Sequence, residues 1–572
     1  MHTEKIPIHL KKYIVNQDYS SYTAIDQSTW KFIMKISTDF FSKNAHNIYL
    51  EGLTKTGITL DKIPKIKDIN KCLNKYGWRA VCVRGFIPPN AFMEFQSLKI
   101  LPIAADMRSH KHLTYTPSPD IVHEAAGHAP IIANSDYSNY LIDYGEIASK
   151  AIMSSEDMNL YYAIRDLSDI KENKNATKTE IEYYEANLKK AYENISYLSE
   201  SAMLSRMNWW SVEYGLIGNI KNPKIYGAGL LSSVGESENC LNNSVEKKPF
   251  DIKCIDYNYD ITEQQPQLFV TPNFKYLSKI LNKLSKNMSY KIGGVSGLYQ
   301  AKKAKTVCTV EIDKQLQISG IIDKYISYNK KPIFVKTIGN TQLSFKNKEL
   351  KNHNINYHKD GFSTPIGKIK NFNKSINQLS DIEIKQLNIK IRETICIPFE
   401  GNIKVFGTII NILKRNSKII LITFSNCTVK YNSKILYEPS WGNFDMLCGD
   451  TVNSVYGAPC DKEKFYINLD NKDKYLNYNL KNKNNYNKTL NKIHQKVNKL
   501  QFKKNNQEKI EKLYIEVKTQ FPNEWLILYE ILCISNKNTY WFNEILELFD
   551  TLIKKGDDLG RAIKRGLDLI QS

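Results

Sequence analysis

Two histidines five residues apart, His123 and His128, close the run Ser-Pro-Asp-Ile-Val-His-Glu-Ala-Ala-Gly-His. Further along, Met203, Met207 and Trp210 lie at i, i+4 and i+7 of a helical stripe, and Glu213 continues it three residues on. A carboxylate on an apolar stripe is costly to bury unless it is paired or binds a metal. Two neutral imidazoles and one carboxylate from separate elements are the donor set of a facial non-haem iron(II) centre, with positions left open for oxygen and substrate. The alternative, a zinc hydrolase, uses histidines four apart, about 40° from alignment on a regular helix. Five apart is about 140°, so these rings converge only if the helix bends or bulges. Ala125-Ala126-Gly127 supply small residues and a glycine that permit it. A lone histidine pair would be read as packed or surface imidazoles; the distant carboxylate tips the balance.

The elements that must position these groups follow from spacing and caps. Ser118-Pro119-Asp120 predicts a helix start. Trp30, Phe32, Ile33, Ile36, Phe40 and Phe41 predict an amphipathic core helix over Ser28 to Leu50, capped by Ser28. A second helix, Ile66 to Tyr76, should end at Gly77, and a strand should run from Trp78 to Ile87 until Pro88-Pro89 stops its ladder. Helical segments are expected over Tyr137 to Leu167 and, as one long helix, over Tyr183 to Leu216, with an exposed loop at Asp169 to Thr179. Tyr226 to Glu236 lacks the dinucleotide glycine spacing and reads as a close-approach loop in which Ser232 can hydrogen-bond a metal ligand or substrate.

At 572 residues the chain needs roughly two to four domains. Its 42% hydrophobic and 24% charged residues are ordinary for a soluble protein, and no early apolar run resembles a leader or a membrane span, so a cytoplasmic protein is expected. The net charge of +21 is mostly lysine: only nine of the 80 basic residues are arginine, and the lysines are spread among Asn, Ile and Tyr. That distribution reads as compositional drift rather than a nucleic-acid surface. Ten cysteines with no Cys-x-x-Cys pair argue against both a zinc ribbon and a disulfide scaffold and for reduced thiols.

Several of these stretches together resemble one family. Ser118 to Pro130, Trp209-Trp-Ser-Val-Glu-Tyr-Gly-Leu216, Tyr226 to Glu236, Asp260-Ile-Thr-Glu-Gln-Gln-Pro266 and Trp78 to Phe92 are similar, in order and spacing, to the tetrahydropterin-dependent aromatic amino acid hydroxylases. The resemblance covers roughly residues 25 to 295. It implies ferrous iron on His123, His128 and Glu213, and Arg108 on the substrate carboxylate. It also implies Thr116, Pro119, Trp209, Gly229 and Ser232 on the substrate side, with Phe92 and Glu124 on the tetrahydrobiopterin side. The implied reaction uses O2 and two electrons from the pterin, whose recycling falls to other enzymes. Trp209, and Ile261 where tyrosine-hydroxylating members carry aspartate, favour phenylalanine over tryptophan or tyrosine. Asn208, Tyr214 and Pro88-Pro89 depart from the family pattern.

The expected architecture is therefore multidomain and mainly α in its catalytic part. A polar lead-in (1–25) precedes a catalytic domain (26–300), a small β-rich domain (301–469), a Lys/Asn-rich linker (470–488) and a helical C-terminal region (489–572). Strands are anticipated at Val307 to Ile312, Ile333 to Lys336, Ile403 to Ile412 and Ile419 to Thr423. In the tail, Leu490, Ile493, Val497 and Leu500, then Phe542, Ile545, Phe549 and Leu552, mark helices that pack on their own chain rather than a coiled coil. A competing reading makes the second half a basic module that binds RNA or a protein partner.

Overall fold

Thr23, not Ser28, opens the first long helix, Ala24–Asn44. Its hydroxyl accepts the Asp26 amide while the Asp26 carboxylate accepts the Thr23 amide, a reciprocal cap that satisfies two otherwise orphaned donors. Ser28 instead bonds back to the Ala24 carbonyl at 2.9 Å. The computed structural model describes residues 6–83, 85, 87–113, 119–172, 176–260, 263–467, 487–500 and 506–571. Within it, residues 6–25 are no loose lead-in: Leu10 is buried, Ile14 bridges to Val83, and the Tyr22 hydroxyl donates to the Ala105 carbonyl.

The helix Ile66–Leu73 tightens into a 3-10 turn at Asn74–Tyr76 and stops at Gly77, whose φ of 74° suits a residue without a Cβ. The strand that follows is shorter than its sequence suggested, Arg79–Val83, and pairs in parallel with Ile100–Ala104. The strand has already ended at Val83, and the two prolines start the next element instead, with Pro88 as the cap and Pro89 opening the helix Pro89–Ser97.

Helices Ser135–Ala148 and Ser155–Glu172 come next, so Asp169 to Glu172 is helical rather than loop. The long helix expected from Tyr183 to Leu216 is two, Lys178–Glu193 and Glu200–Asn208. Ser199 caps the second through the Ala202 amide. Leu216–Asn219 then enters a four-stranded sheet ordered Asn222–Ile225, Leu216–Asn219, Gln267–Thr271, Glu246–Pro249.

From Val307 to Gly457 the chain is mainly β. One antiparallel sheet of six strands runs Lys348–Glu349, Lys331–Phe345, Leu316–Tyr328, Val307–Ile312, Val452–Gly457, with Ser363–Pro365 added to Lys331–Phe345. A second, of five, runs Thr394–Pro398, Ile403–Arg415, Lys418–Tyr431, Lys434–Tyr437, with Phe444–Leu447 on Lys418–Tyr431. The anticipated strands are present but mostly longer, because bulges let them continue past polar residues. Most of the expected linker lies outside the described residues.

The C-terminal helices do not stand apart. Leu490, Ile493, Val497, Trp525, Tyr529, Phe549 and Leu567 share one buried cluster with Ile25, Trp30, Phe32 and Ile33. Phe32 meets the rings of Trp525 and Tyr529 edge-on, at centroid distances of 5.0 and 4.7 Å. His110 pairs with Glu524 at 2.8 Å, which ties the tail to the loop carrying Arg108. The cysteines are free thiols, and among the described residues no helix is long and apolar enough to cross a membrane.

Candidate metal centre and its cavity

Five-residue spacing works here because Val122–His128 is a π-helix. Bonding from i to i+5 stacks residues five apart, where an α-helix would splay them. Ser118 lies outside the described residues, and the turn is stabilised instead by Asp120, whose carboxylate accepts the His123 amide at 3.0 Å. A second π turn, Trp209–Glu213, ends the helix Glu200–Asn208 and turns Glu213 toward the histidines. The glycines admit the third element. A Cβ on Gly127 would lie 2.7 Å from the Ala228 carbonyl oxygen, and one on Gly227 2.4 Å from that of Glu213.

The three donors meet. His123 Nε2 and His128 Nε2 are 3.2 Å apart, and each lies 3.4 Å from a Glu213 carboxylate oxygen. A cation about 2.0–2.2 Å from each ligand requires donor separations of roughly 3.0–3.6 Å, so the chemistry and spacing of this set fit a divalent metal.

Ser232 fixes which nitrogen faces the others. Its single proton goes to the Ala228 carbonyl at 2.8 Å, so its oxygen accepts from His123 Nδ1 at 2.9 Å and leaves the Nε2 lone pair directed at Glu213 and His128. Ser232→Ala should therefore weaken metal affinity by about 10–100-fold with little loss of stability, measured as iron retained against a competing chelator. Unchanged retention would show that the hydroxyl does not orient the ring.

Burial and charge set the protonation of the group in the protein alone. Burial pushes His123 down to about 4 against the pull of Glu213. Burial also opposes charge on His128, but the Glu213 carboxylate outweighs it and lifts His128 to about 9. Burial would raise Glu213 too; the two histidines, with a hydrogen bond from Asn208, hold it at about 2. Burial raises Glu124 to about 8, and its Oε2 sits 3.9 Å from His128 Nε2.

The centre opens on a cavity of about 670 Å³ lined by Arg108, Pro119, His123, Trp209, Glu213, Gly229 and Ser232, among others. Phe92 and Glu124 are not on its wall, although Ile87 and Pro89 from the neighbouring segment are. Thr116 and Ile261 lie outside the described residues. Arg108 is gripped from one side: Nε and Nη2 donate to Asp120 at 2.8 Å each, and Nη1 donates to the Ser232 carbonyl at 2.9 Å. Of five guanidinium protons, these bonds leave one on each terminal nitrogen, two donors for a carboxylate. Burial would raise Asp120, but Arg108 outweighs it and holds the carboxyl below its usual range.

Two departures from the family pattern acquire reasons here. Tyr214 stacks on Trp209 at 4.6 Å while Tyr259 covers the other face at 4.3 Å, fixing the indole. Asn208 hydrogen-bonds Glu213. Asn208 Oδ1 and Trp209 Nε1 are buried without a hydrogen-bond partner among the described residues, polar atoms that a ligand with donors and acceptors would satisfy. Sequence reasoning missed Tyr259 and the Asp120 grip on Arg108. The acid twelve residues after an arginine was the only trace of the second.

A helical domain whose cavity carries a two-histidine, one-carboxylate centre defines a mononuclear metal site with room for an organic substrate. The chain belongs to the biopterin-dependent aromatic amino acid hydroxylase family, whose model matches residues 11–203 and 197–317. It is 28% identical over 268 residues to the phenylalanine-4-hydroxylase of Chromobacterium violaceum, covering 46% of this chain and 75% of that protein. It is 29% identical over 273 residues to the Mesorhizobium japonicum phenylalanine-4-hydroxylase, covering 46% and 81%. The Chromobacterium violaceum phenylalanine hydroxylase structure with bound oxidised Fe(III) matches at 26% identity and a TM-score of 0.39, over 48% of this chain and 86% of that one.

Proposed function

We propose that this chain is a phenylalanine 4-monooxygenase, hydroxylating the phenylalanine ring to give tyrosine with O2, ferrous iron and a tetrahydropterin, in the cytoplasm. The observation that carries the reading is the convergence of His123, His128 and Glu213, two of which, His123 and Glu213, line a cavity that Arg108 also lines. Bound there, iron would supply open coordination positions for oxygen and the pterin two electrons.

The chain's own residues supply position. His123, His128 and Glu213 hold the metal; Arg108, braced by Asp120, holds the amino acid's carboxylate. Trp209, clamped between Tyr214 and Tyr259, offers a fixed wall to an aromatic side chain, with Pro119, Gly229 and Ser232 beside it. Thr116 completes the substrate side, and Phe92 and Glu124 serve the pterin. Catalysis is thereby assigned to residues 26–300, with pterin-recycling enzymes as indirect partners.

The test is product formation by iron-loaded chain with O2, a tetrahydropterin and phenylalanine, tyrosine or tryptophan in separate reactions. Tyrosine from phenylalanine, fastest of the three, is expected. Faster turnover of tryptophan or tyrosine would move the preference within the family, and no product from any would overturn the reading.

A further inference from the structure

A second pair of histidines five residues apart, His353 and His358, lies in the loop between Lys348–Glu349 and Ser363–Pro365. The loop is fixed to its own sheet: the Leu343 amide donates to the His353 carbonyl, and the Thr341 amide to that of His358, each at 3.1 Å. The rings meet at 3.1 Å, His353 Nδ1 to His358 Nε2. The third group comes from the other sheet. Asp445 is an acid in the strand Phe-Asp-Met-Leu, all four residues of which are buried.

All three side chains are more than nine-tenths buried, and their donor atoms lie within 4.8 Å of one another. Asp445 Oδ2 is 3.9 Å from His353 Nδ1, its Oδ1 accepts from Thr423 at 2.6 Å, and the Tyr357 hydroxyl also hydrogen-bonds it. Among the described residues, no lysine or arginine pairs with this carboxylate. A buried carboxylate is held in its charged form by a cation at its side. The histidine nitrogens, 3.1 Å apart, already stand at the separation that ligands about 2.0–2.2 Å from one ion require, and Asp445, whose oxygen lies within 4.8 Å of both, closes on them as the ion binds.

We propose that His353, His358 and Asp445 bind a divalent cation of the zinc class, stapling the loop of the six-stranded sheet to the five-stranded sheet. Two imidazoles and one carboxylate suit zinc over the hard cations, which prefer all-oxygen sites. Tyr357, with its ring 4.7 Å from that of His358 and more than half exposed, closes the cluster on the solvent side and leaves the fourth position to its hydroxyl or water. The role is structural, because the ligands join two sheets and lie apart from the cavity at His123.

The experiment strips the full chain with chelator, equilibrates it with zinc and counts bound metal. Two equivalents are expected for the wild type, one for Glu213→Gln, one for Asp445→Asn and none for the double variant. A zinc-dependent rise in melting temperature is expected in Glu213→Gln and should vanish in the double variant. Cobalt(II) titrated into Glu213→Gln should give the intense visible bands of a low-coordinate site, a readout independent of whether Asp445→Asn folds. A Glu213→Gln chain that binds neither zinc nor cobalt, or a folded double variant that keeps its zinc, would overturn the proposal. In that event the three groups form only a hydrogen-bonded cluster.

Discussion

Glu213→Ala should empty the metal centre and abolish hydroxylation while leaving the fold intact. Glu213 is the sole carboxylate of the three-donor set, and its side chain faces the cavity. Removing it strands no buried charge, because the His128 proton is held chiefly by Glu213 and leaves with it. Loss of an outer partner of a metal ligand already costs about 10–100-fold in affinity, so loss of the ligand itself should cost more than about 100-fold. Iron content after anaerobic loading, turnover, and thermal melting by circular dichroism read the three parts separately. Iron-dependent turnover surviving in the variant would remove Glu213 from the ligand set.

Arg108→Ala has two large effects that must be separated. Under the proposed function it removes charge-assisted donors to the substrate carboxylate, about 1.5–3 kcal/mol, and should raise KM for phenylalanine by roughly 10–150-fold. It also strands Asp120, which is 2% exposed and takes two bonds from the guanidinium. Breaking such a buried pair costs about 3–5 kcal/mol. Asp120→Asn is the control: it weakens the brace yet keeps the remaining guanidinium donors, so its loss should appear mainly in the melting temperature. Equal increases in KM for the two variants would mean that Arg108 braces the loop and does not touch the amino acid.

The need for an irregular helix at His123 and His128 was legible in their spacing alone, since a regular helix cannot bring residues five apart to one face. The prominence of Glu213 was legible too, as an acid at the end of an apolar stripe. The split of the long helix was not: Met203, Met207 and Trp210 carry a strong period, and the cap signal Ser199-Glu200 is quieter than that stripe. The docking of the tail was unreadable for a different reason. The heptad-like apolar residues from Leu490 announce a buried face without naming what covers it, and the partner is the helix that begins at Ala24. The second histidine pair escaped because its carboxylate lies on another sheet, joined only by the fold.

The packing of Phe32 against Trp525 and Tyr529 also sets a timetable for synthesis. Phe32 is translated about 490 residues before those rings, which at roughly 5–20 residues per second is about 25–100 s. For that interval the first helix leaves the ribosome with an apolar face that has no lasting cover, and the nascent chain must be shielded or held in a provisional arrangement. Premature stops before Trp525 would then yield chains that carry every group of the hydroxylase centre and still fail to mature, through aggregation rather than through lost chemistry.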